Sequence, residues 1–289
     1  MTHATPDRFL AGCPDGDHMP SFIPARQPAN ETARLNAVQR SGLMDTLNKS
    51  RFDIFTRLFR HIAEVPVAYT GLIDEARQYF LSENFTGCLV GTSEVAREET
   101  ICQYALLETR PILIDDLREN DIYRHHPLVT QDPHWVFWGG FPLVTPEGYV
   151  LGTLCAVDFV PRTLSQTQID LMRGVADELA ISIQLQTDLQ DAIADRAHEV
   201  LRELAEFGVT SVEGAQAFLQ LCLDRPPLNL PHDVLASGLA GIGRNGPELT
   251  NSGRRIKTGH GLGPSAYRVI TSPLHDSDLL DAMFGQLDT

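Results

Sequence analysis

Lysine is almost missing from this chain. Of its 23 basic residues only Lys49 and Lys257 are lysines, and 38 acids leave a formal net charge of −15 over 289 residues. That balance excludes the basic face on which nucleic-acid binding depends, and the same charge repels anionic membrane surfaces. Long apolar runs are also missing, and none reaches the ~18 residues of a membrane span. Cysteine is sparse and odd in number: Cys13, Cys88, Cys102, Cys155 and Cys222, with no C-x-x-C. This excludes a disulfide framework or a zinc cluster and fits free thiols in a reducing compartment. Residues 1–29 lack the basic start and apolar core of a signal peptide, so a cytoplasmic location is expected. No P-loop, lipase elbow or metallohydrolase motif occurs.

What is present is a chain that is 43% hydrophobic, enough for a core of one large domain or two small ones. Residues 1–29 hold five prolines and read as a flexible leader. A helix is expected from Asn30 to about Gly42, and a second from Ser50-x-x-Asp53, a capping-box pattern. Phe52, Phe55, Phe59 and Ile62 share one face of that second helix. Val65–Ile73 and Arg77–Ser82 read as a hairpin, with Val67, Tyr69, Gly71 and Ile73 on one side. A short helix is expected at Thr100–Leu107, a brief strand at Ile112–Ile114, and a hairpin at Trp135–Leu143 and Tyr149–Phe159. Alternation places Trp135 and Phe137 on one sheet face and Val136, Trp138 and Gly140 on the other. Ser165-x-x-Gln168 caps a long helix running to about Phe207. Its heptad seam Met172, Leu179, Gln186, Ile193 and Val200 suggests a dimerising coiled coil. Residues 208–289 read as a Gly-rich, loosely structured tail, helical only near Val212–Leu223.

Several of these stretches resemble a known family. Asn30-Glu31, Arg34-Leu35, Gly42-Leu43-Met44-Asp45-Thr46 and Arg51-Phe52-Asp53 are similar to the opening of a bacterial GAF domain, the type found beside sensor histidine kinases and diguanylate cyclases. Val65-Pro66-Val67-Ala68 through Arg77-Gln78-Tyr79-Phe80 resembles its first hairpin. Asp116 with Pro127-Leu128-Val129-Thr130 resembles its central loop. Gly140-Phe141-Pro142-Leu143 through Leu151-Gly152-Thr153-Leu154-Cys155-Ala156-Val157-Asp158 and Pro161-Arg162-Thr163-Leu164-Ser165 resembles its last hairpin and helix start. The resemblance implies an α+β fold: an antiparallel sheet of about six strands flanked by helices, followed by a long C-terminal signalling helix. It also implies a sensory domain at 30–164 that binds a small ligand, and a helix at 165–207 that passes the signal to a homodimer mate or another partner. The ligand stays unnamed. Where the family often has Phe-Cys-Ala-His, this chain has Ile101-Cys102-Gln103-Tyr104, and Asn120-Asp121-Ile122-Tyr123 replaces Asp-x-Arg-Phe. Neither a bilin-attaching Cys-His pair nor the Asn-Lys-x-Phe-Asp-Glu pattern of cyclic-nucleotide binders is present.

The candidate ligand-binding residues are Phe80, Cys102, Tyr104, Tyr123, His125, Phe137 and Trp138. The aromatics offer an apolar lining with a few polar groups, and His125 is the choice among His125, His126 and His134 if a haem were held. Cofactors remain unassigned, and no metal or catalytic residue is proposed. Ordinary core packing competes with each role, and Cys155 in its strand reads as core. A non-enzyme is favoured, with two enzymatic alternatives. One is a degenerate histidine kinase using His198 in Ala197-His198-Glu199-Val200-Leu201-Arg202, with a lid-like Gly259–Ser265. The other is a thiol-based redox enzyme or sensor using Cys102. Gly241-Ile242-Gly243-Arg244-Asn245-Gly246 matches G-x-G-x-x-G but is followed by Pro247 and reads as a loop.

Overall fold

The computed structural model describes residues 23–46, 49–222, 227–243 and 246–259. It divides into two compact units, one ending at Thr187 and one beginning at Asp188.

The first unit is built on a six-stranded antiparallel sheet of order β3-β2-β1-β6-β5-β4. Its strands are β1 (Val67–Ile73), β2 (Arg77–Glu83), β3 (Glu94–Ala96), β4 (Ile112–Ile114), β5 (Phe137–Val144) and β6 (Val150–Asp158). The expected hairpins are present, whereas β3 lay hidden in a polar stretch without alternation. Every residue of β1 and β6 is buried, so each strand feeds two cores, one on each face. One face is covered by helices α1 (Glu31–Arg40), α2 (Asp53–Ala63) and α4 (Gln166–Glu206). Phe59, Phe137, Phe141, Met172, Leu179 and Ile183 fill it. The other is covered by a 3₁₀ helix at Ile101–Leu107 and the loop carrying α3 (Pro127–Thr130). Tyr69, Phe80, Cys102, Tyr123, Trp138 and Cys155 fill that one.

Local chemistry explains most boundaries. Ser165 Oγ accepts from the Gln168 backbone N–H while Gln168 Oε1 accepts from the Ser165 N–H, a reciprocal capping box that starts α4. The Ser50–Asp53 pattern does not act this way. Ser50–Phe52 form a 3₁₀ turn without a side-chain cap, and Asp53 instead accepts from Ser82 Oγ at 2.8 Å. On α4, Met172, Val175 and Leu179 are spent on the sheet. Within the first unit, the large apolar side chains of α4 left exposed are Leu171, Ile181 and Leu185, which fall within ~80° of one another on the helix.

α1 is held by a fully buried cation. Arg34 Nη1 donates to the carbonyls of Ile73 (2.6 Å) and Val150 (3.3 Å), and its Nε and Nη2 donate to the Glu31 carboxylate. Arg97 pairs with the same carboxylate. Burial opposes ionisation of Glu31, but the two guanidinium groups outweigh it and bring its carboxyl down to about 2.

The second unit differs from the loose tail expected for 208–289. α5 (Val212–Cys222), α6 (His232–Ala236), a hairpin of β7 (Ala240–Gly243) and β8 (Gly246–Leu249), and α7 (Asn251–Gly259) surround Phe218, Leu219, Val234, Leu239 and Ile256. Strand pairing here is antiparallel, Ala240 opposite Leu249 and Gly243 opposite Gly246, which the Gly-rich composition obscured. The G-x-G-x-x-G stretch spans this hairpin; its Arg244-Asn245 lie outside the described residues, as do residues 1–22 of the leader and 260–289.

Arg34→Ala leaves two strand carbonyls and part of Glu31 without their cation. Thermal or urea denaturation is expected to show a loss of about 3 kcal/mol; a loss below about 1 kcal/mol would contradict the role given to Arg34.

Candidate functional site

The face of the sheet opposite α4 gathers most of the expected ligand-binding residues. Strand alternation projects Tyr69 from β1, Trp138 from β5 and Cys155 from β6 onto it, and Tyr69 pairs with Cys155 across the ladder. Gly140 makes room for Trp138, since a Cβ there would lie 2.4 Å from the indole. Tyr69 stacks on Trp135 and meets Phe80 edge-to-face, with ring centroids 5.9 and 5.6 Å apart. Tyr123 lies against both Tyr104 and Trp138.

A polar thread runs through this apolar cluster. Trp138 Nε1 donates to the Tyr69 hydroxyl (3.2 Å), which shares a hydrogen with Cys102 Sγ (3.2 Å). Cys102 Sγ lies 3.5 Å from Cys155 Sγ, and Cys155 donates to Thr153 Oγ1 at 3.2 Å. Thr100 caps the 3₁₀ helix by accepting from the Cys102 N–H and donates to Gln78 Oε1. Burial opposes a thiolate at Cys102, but hydrogen bonds with Cys155, Thr153 and Tyr69 outweigh it and lower its pKa. Burial, then the facing Cys102, pushes Cys155 up. Tyr69 is likewise pushed well up by burial, so its phenol stays neutral.

Because these side chains fill the space beneath the sheet, the open volume lies at its edge. A cleft of about 700 Å³ runs along β4, lined by Tyr104, Tyr123, Ile112, Ile114, Asn120 and Ile169 among others. Burial raises both phenols, and at Tyr123 the neighbouring Tyr104 and Cys102 add to the rise. Both therefore enter the cleft as neutral hydroxyls. Residues just before α1 are tied to the 3₁₀ helix: the Ala25 N–H donates to Gln103 Oε1 at 2.8 Å, and the Tyr104 hydroxyl donates to the Ile23 carbonyl.

The structure separates the seven candidates. Phe80, Cys102, Tyr123 and Trp138 share one cluster, with Tyr104 packed against it. Phe137 points to the opposite face, into the helical layer, and is not beside them. Trp135 joins Trp138 rather than Phe137, because regular alternation begins only where β5 does. His125 is exposed and accepts from its neighbour Arg124. The buried histidine is His126, whose Nδ1 accepts the Leu128 N–H while Nε2 donates to the Glu99 carbonyl. That geometry caps α3 and leaves neither ring nitrogen for a metal. Tyr69 and Cys155 are the residues that sequence reasoning passed over; their alternation was visible, but their pairing was not. His198 lies exposed on α4, and residues 260–265 of the lid-like stretch lie outside the described residues. Asp74, Asp115, Asp116 and Asp158 cap turns or pair with Arg and Thr side chains.

The sequence profile of the GAF domain family matches residues 29–183. A cyclic di-GMP phosphodiesterase of Pseudomonas aeruginosa is 28% identical over 137 residues, 47% of this chain and 22% of that protein. The match thus spans less than a quarter of that curated relative. Among solved structures, the blue-light-absorbing form of the Thermosynechococcus elongatus PixJ GAF domain shares 15% identity at a TM-score of 0.43, covering 52% of this chain and 96% of its own. The GAF domain of a Coxiella burnetii phosphoenolpyruvate-protein phosphotransferase shares 14% at 0.41, covering 54% and 95%.

His126 yields a test of this loop. Burial lowers its pKa from 6.5 to about 4, against a smaller raising effect of the Glu99 carbonyl. The unfolded chain therefore binds the proton first, so the stability His126 contributes is complete above about pH 6.5 and is lost as pH falls toward 4. A loss of order 3 kcal/mol across that window is expected from denaturation curves. His126→Asn, which retains a capping oxygen, should flatten it; an unchanged pH profile would refute the assignment.

Proposed function

The chain belongs to the GAF domain family, and from that premise we propose that it is a sensory module of bacterial signal transduction. A small ligand occupies the edge cleft, and α4 carries the response to a second copy of the chain or another partner. The observation that carries this reading is the make-up of the cleft. It is lined by Tyr104 and Tyr123 from one core, by the edge strand β4, and by Ile169 from the first turn of α4. An occupant there touches the output helix directly. A volume of about 700 Å³ lies within the range of small-molecule sites. Tyrosine hydroxyls, Asn120 and the rim pair Glu108 and Arg110 supply polar partners of both signs. A ligand shifts the output only if it binds two packings of α4 unequally. The exposed stripe Leu171, Ile181 and Leu185 on α4, with Ile54 and Leu58 exposed on α2, supplies the apolar surface for pairing, and it replaces the heptad seam expected from sequence. Kinship with a phosphodiesterase of cyclic di-GMP supports placement of such a module in second-messenger signalling.

Two measurements test this. Native mass spectrometry of the chain incubated with a bacterial small-metabolite extract should show a single small adduct, lost in Ile122→Trp and kept in Phe137→Leu. Retention in Ile122→Trp would exclude the cleft. By light scattering, Ile181→Glu with Leu185→Glu should convert a dimer to the 32.0 kDa monomer; a monomeric parent chain would remove the dimer from the proposal.

A further inference from the structure

We propose that Cys102 and Cys155 are oxidised by a peroxide to a reversible disulfide, making the buried thread beneath the sheet a redox-sensing site. The inference does not depend on the edge cleft holding a ligand.

Geometry brings the pair together. The sulfurs lie 3.5 Å apart and face each other, so a closure of about 1.5 Å reaches bonding distance. They come from elements of different stiffness. Cys155 sits in β6, which is paired on both sides by β1 and β5. Cys102 sits in a 3₁₀ helix, whose hydrogen bonds are poorer than those of an α-helix. The helix is the part that moves.

The surroundings suit the chemistry. A thiol that merely fills a core behaves as a small apolar group and has no use for polar company. Here the two sulfurs bond to Tyr69 and Thr153 hydroxyls in an otherwise aromatic cluster. The Tyr69 hydroxyl can turn its hydrogen to Cys102 Sγ, which favours a thiolate there, the form that attacks peroxide.

The step balances as follows. The Cys102 thiolate attacks one peroxide oxygen, the O–O bond breaks, and a sulfenic acid forms as water leaves. Cys155 Sγ then attacks Cys102 Sγ, and the sulfenic oxygen departs as a second water with the Cys155 proton. In total, two thiols and one hydrogen peroxide give one disulfide and two waters. Cys155 Sγ already lies 3.5 Å from Cys102 Sγ, so the sulfenic acid has a resolving thiol at hand, which favours the disulfide over sulfinic acid.

The change would be felt beyond the sulfurs. The disulfide removes the hydrogens that Cys102 shares with Tyr69 and that Cys155 gives to Thr153. It also draws Ile101–Leu107 toward β6. That helix carries Gln103 and Tyr104, which bond to Ala25 and Ile23 ahead of α1.

The test uses the full chain, reduced and then treated with a few equivalents of hydrogen peroxide. Non-reducing tryptic mapping should show peptide 98–118 (the Arg110–Pro111 bond resists trypsin) linked to peptide 125–162, lighter by two hydrogens and separated by dithiothreitol. The two tryptophans of the chain, Trp135 and Trp138, both lie in this cluster, so emission should fall on oxidation and recover on reduction. In Cys155→Ser the link and the emission change should vanish, and dimedone should label Cys102. Links from either peptide to Cys13, Cys88 or Cys222, sulfinic acids without a link, or unchanged thiols under peroxide would each overturn the proposal.

Discussion

The constraint on which the first unit depends is burial of its central strands on both faces. β1 and β6 expose no residue, so neighbours along each strand belong to different cores. Tyr69, Trp138 and Cys155 go to one side; Leu72, Phe137 and Leu154 go to the other. A side chain cannot change core without a register slip that would invert every position of its strand. The two layers are therefore chemically distinct though built from the same segments. The helical layer is almost purely apolar, while the opposite layer holds a continuous hydrogen-bonded thread. A thread of this kind is costly to bury unless its members find partners, and here they come from five separate segments of the chain, with Gln78 Nε2 left without one.

That division shapes where signals can enter. The interior of the polar-threaded layer is filled by aromatic side chains, and a cleft of small-molecule size lies at the edge, where β4 is paired on one side alone. The edge is also where the two layers approach each other, since Ile114 belongs to one core and Leu113 packs on the other. An occupant at this line bears on the first turn of α4 without crossing the sheet. The thiol pair, by contrast, lies inside the layer, with one sulfur carried by the 3₁₀ helix. In the scheme proposed above, the two inputs press on different covers of the same sheet.

Much of this architecture was legible in the residues. Alternation revealed both main hairpins, and Ser165 with Gln168 announced α4. Single-chain patterning could not reveal which strands pair, so Tyr69 and Cys155 stayed apart on paper although they are cross-strand partners. Nor could it show which of two adjacent histidines turns inward. His126 is buried because Pro127 begins a helical turn that needs a cap, whereas His125 has no such tie. Phe137 and Trp138 looked equivalent as aromatics, and only the position of α4 decides between their faces. The Gly-rich stretch after Gly208 misled in the opposite direction: glycine at Gly246, with φ +114, serves a hairpin rather than disorder.

Coupling between the edge cleft and α4 is the central claim, and hydrogen–deuterium exchange tests it most directly without knowledge of the ligand. Ile122→Trp places a bulky ring in the cleft as a fixed occupant. Coupling through Ile169 predicts altered protection in the α4 residues 166–187, with the β7–β8 hairpin unchanged as an internal control. Exchange in α4 that matches the unsubstituted chain, with the cleft demonstrably filled, would contradict it.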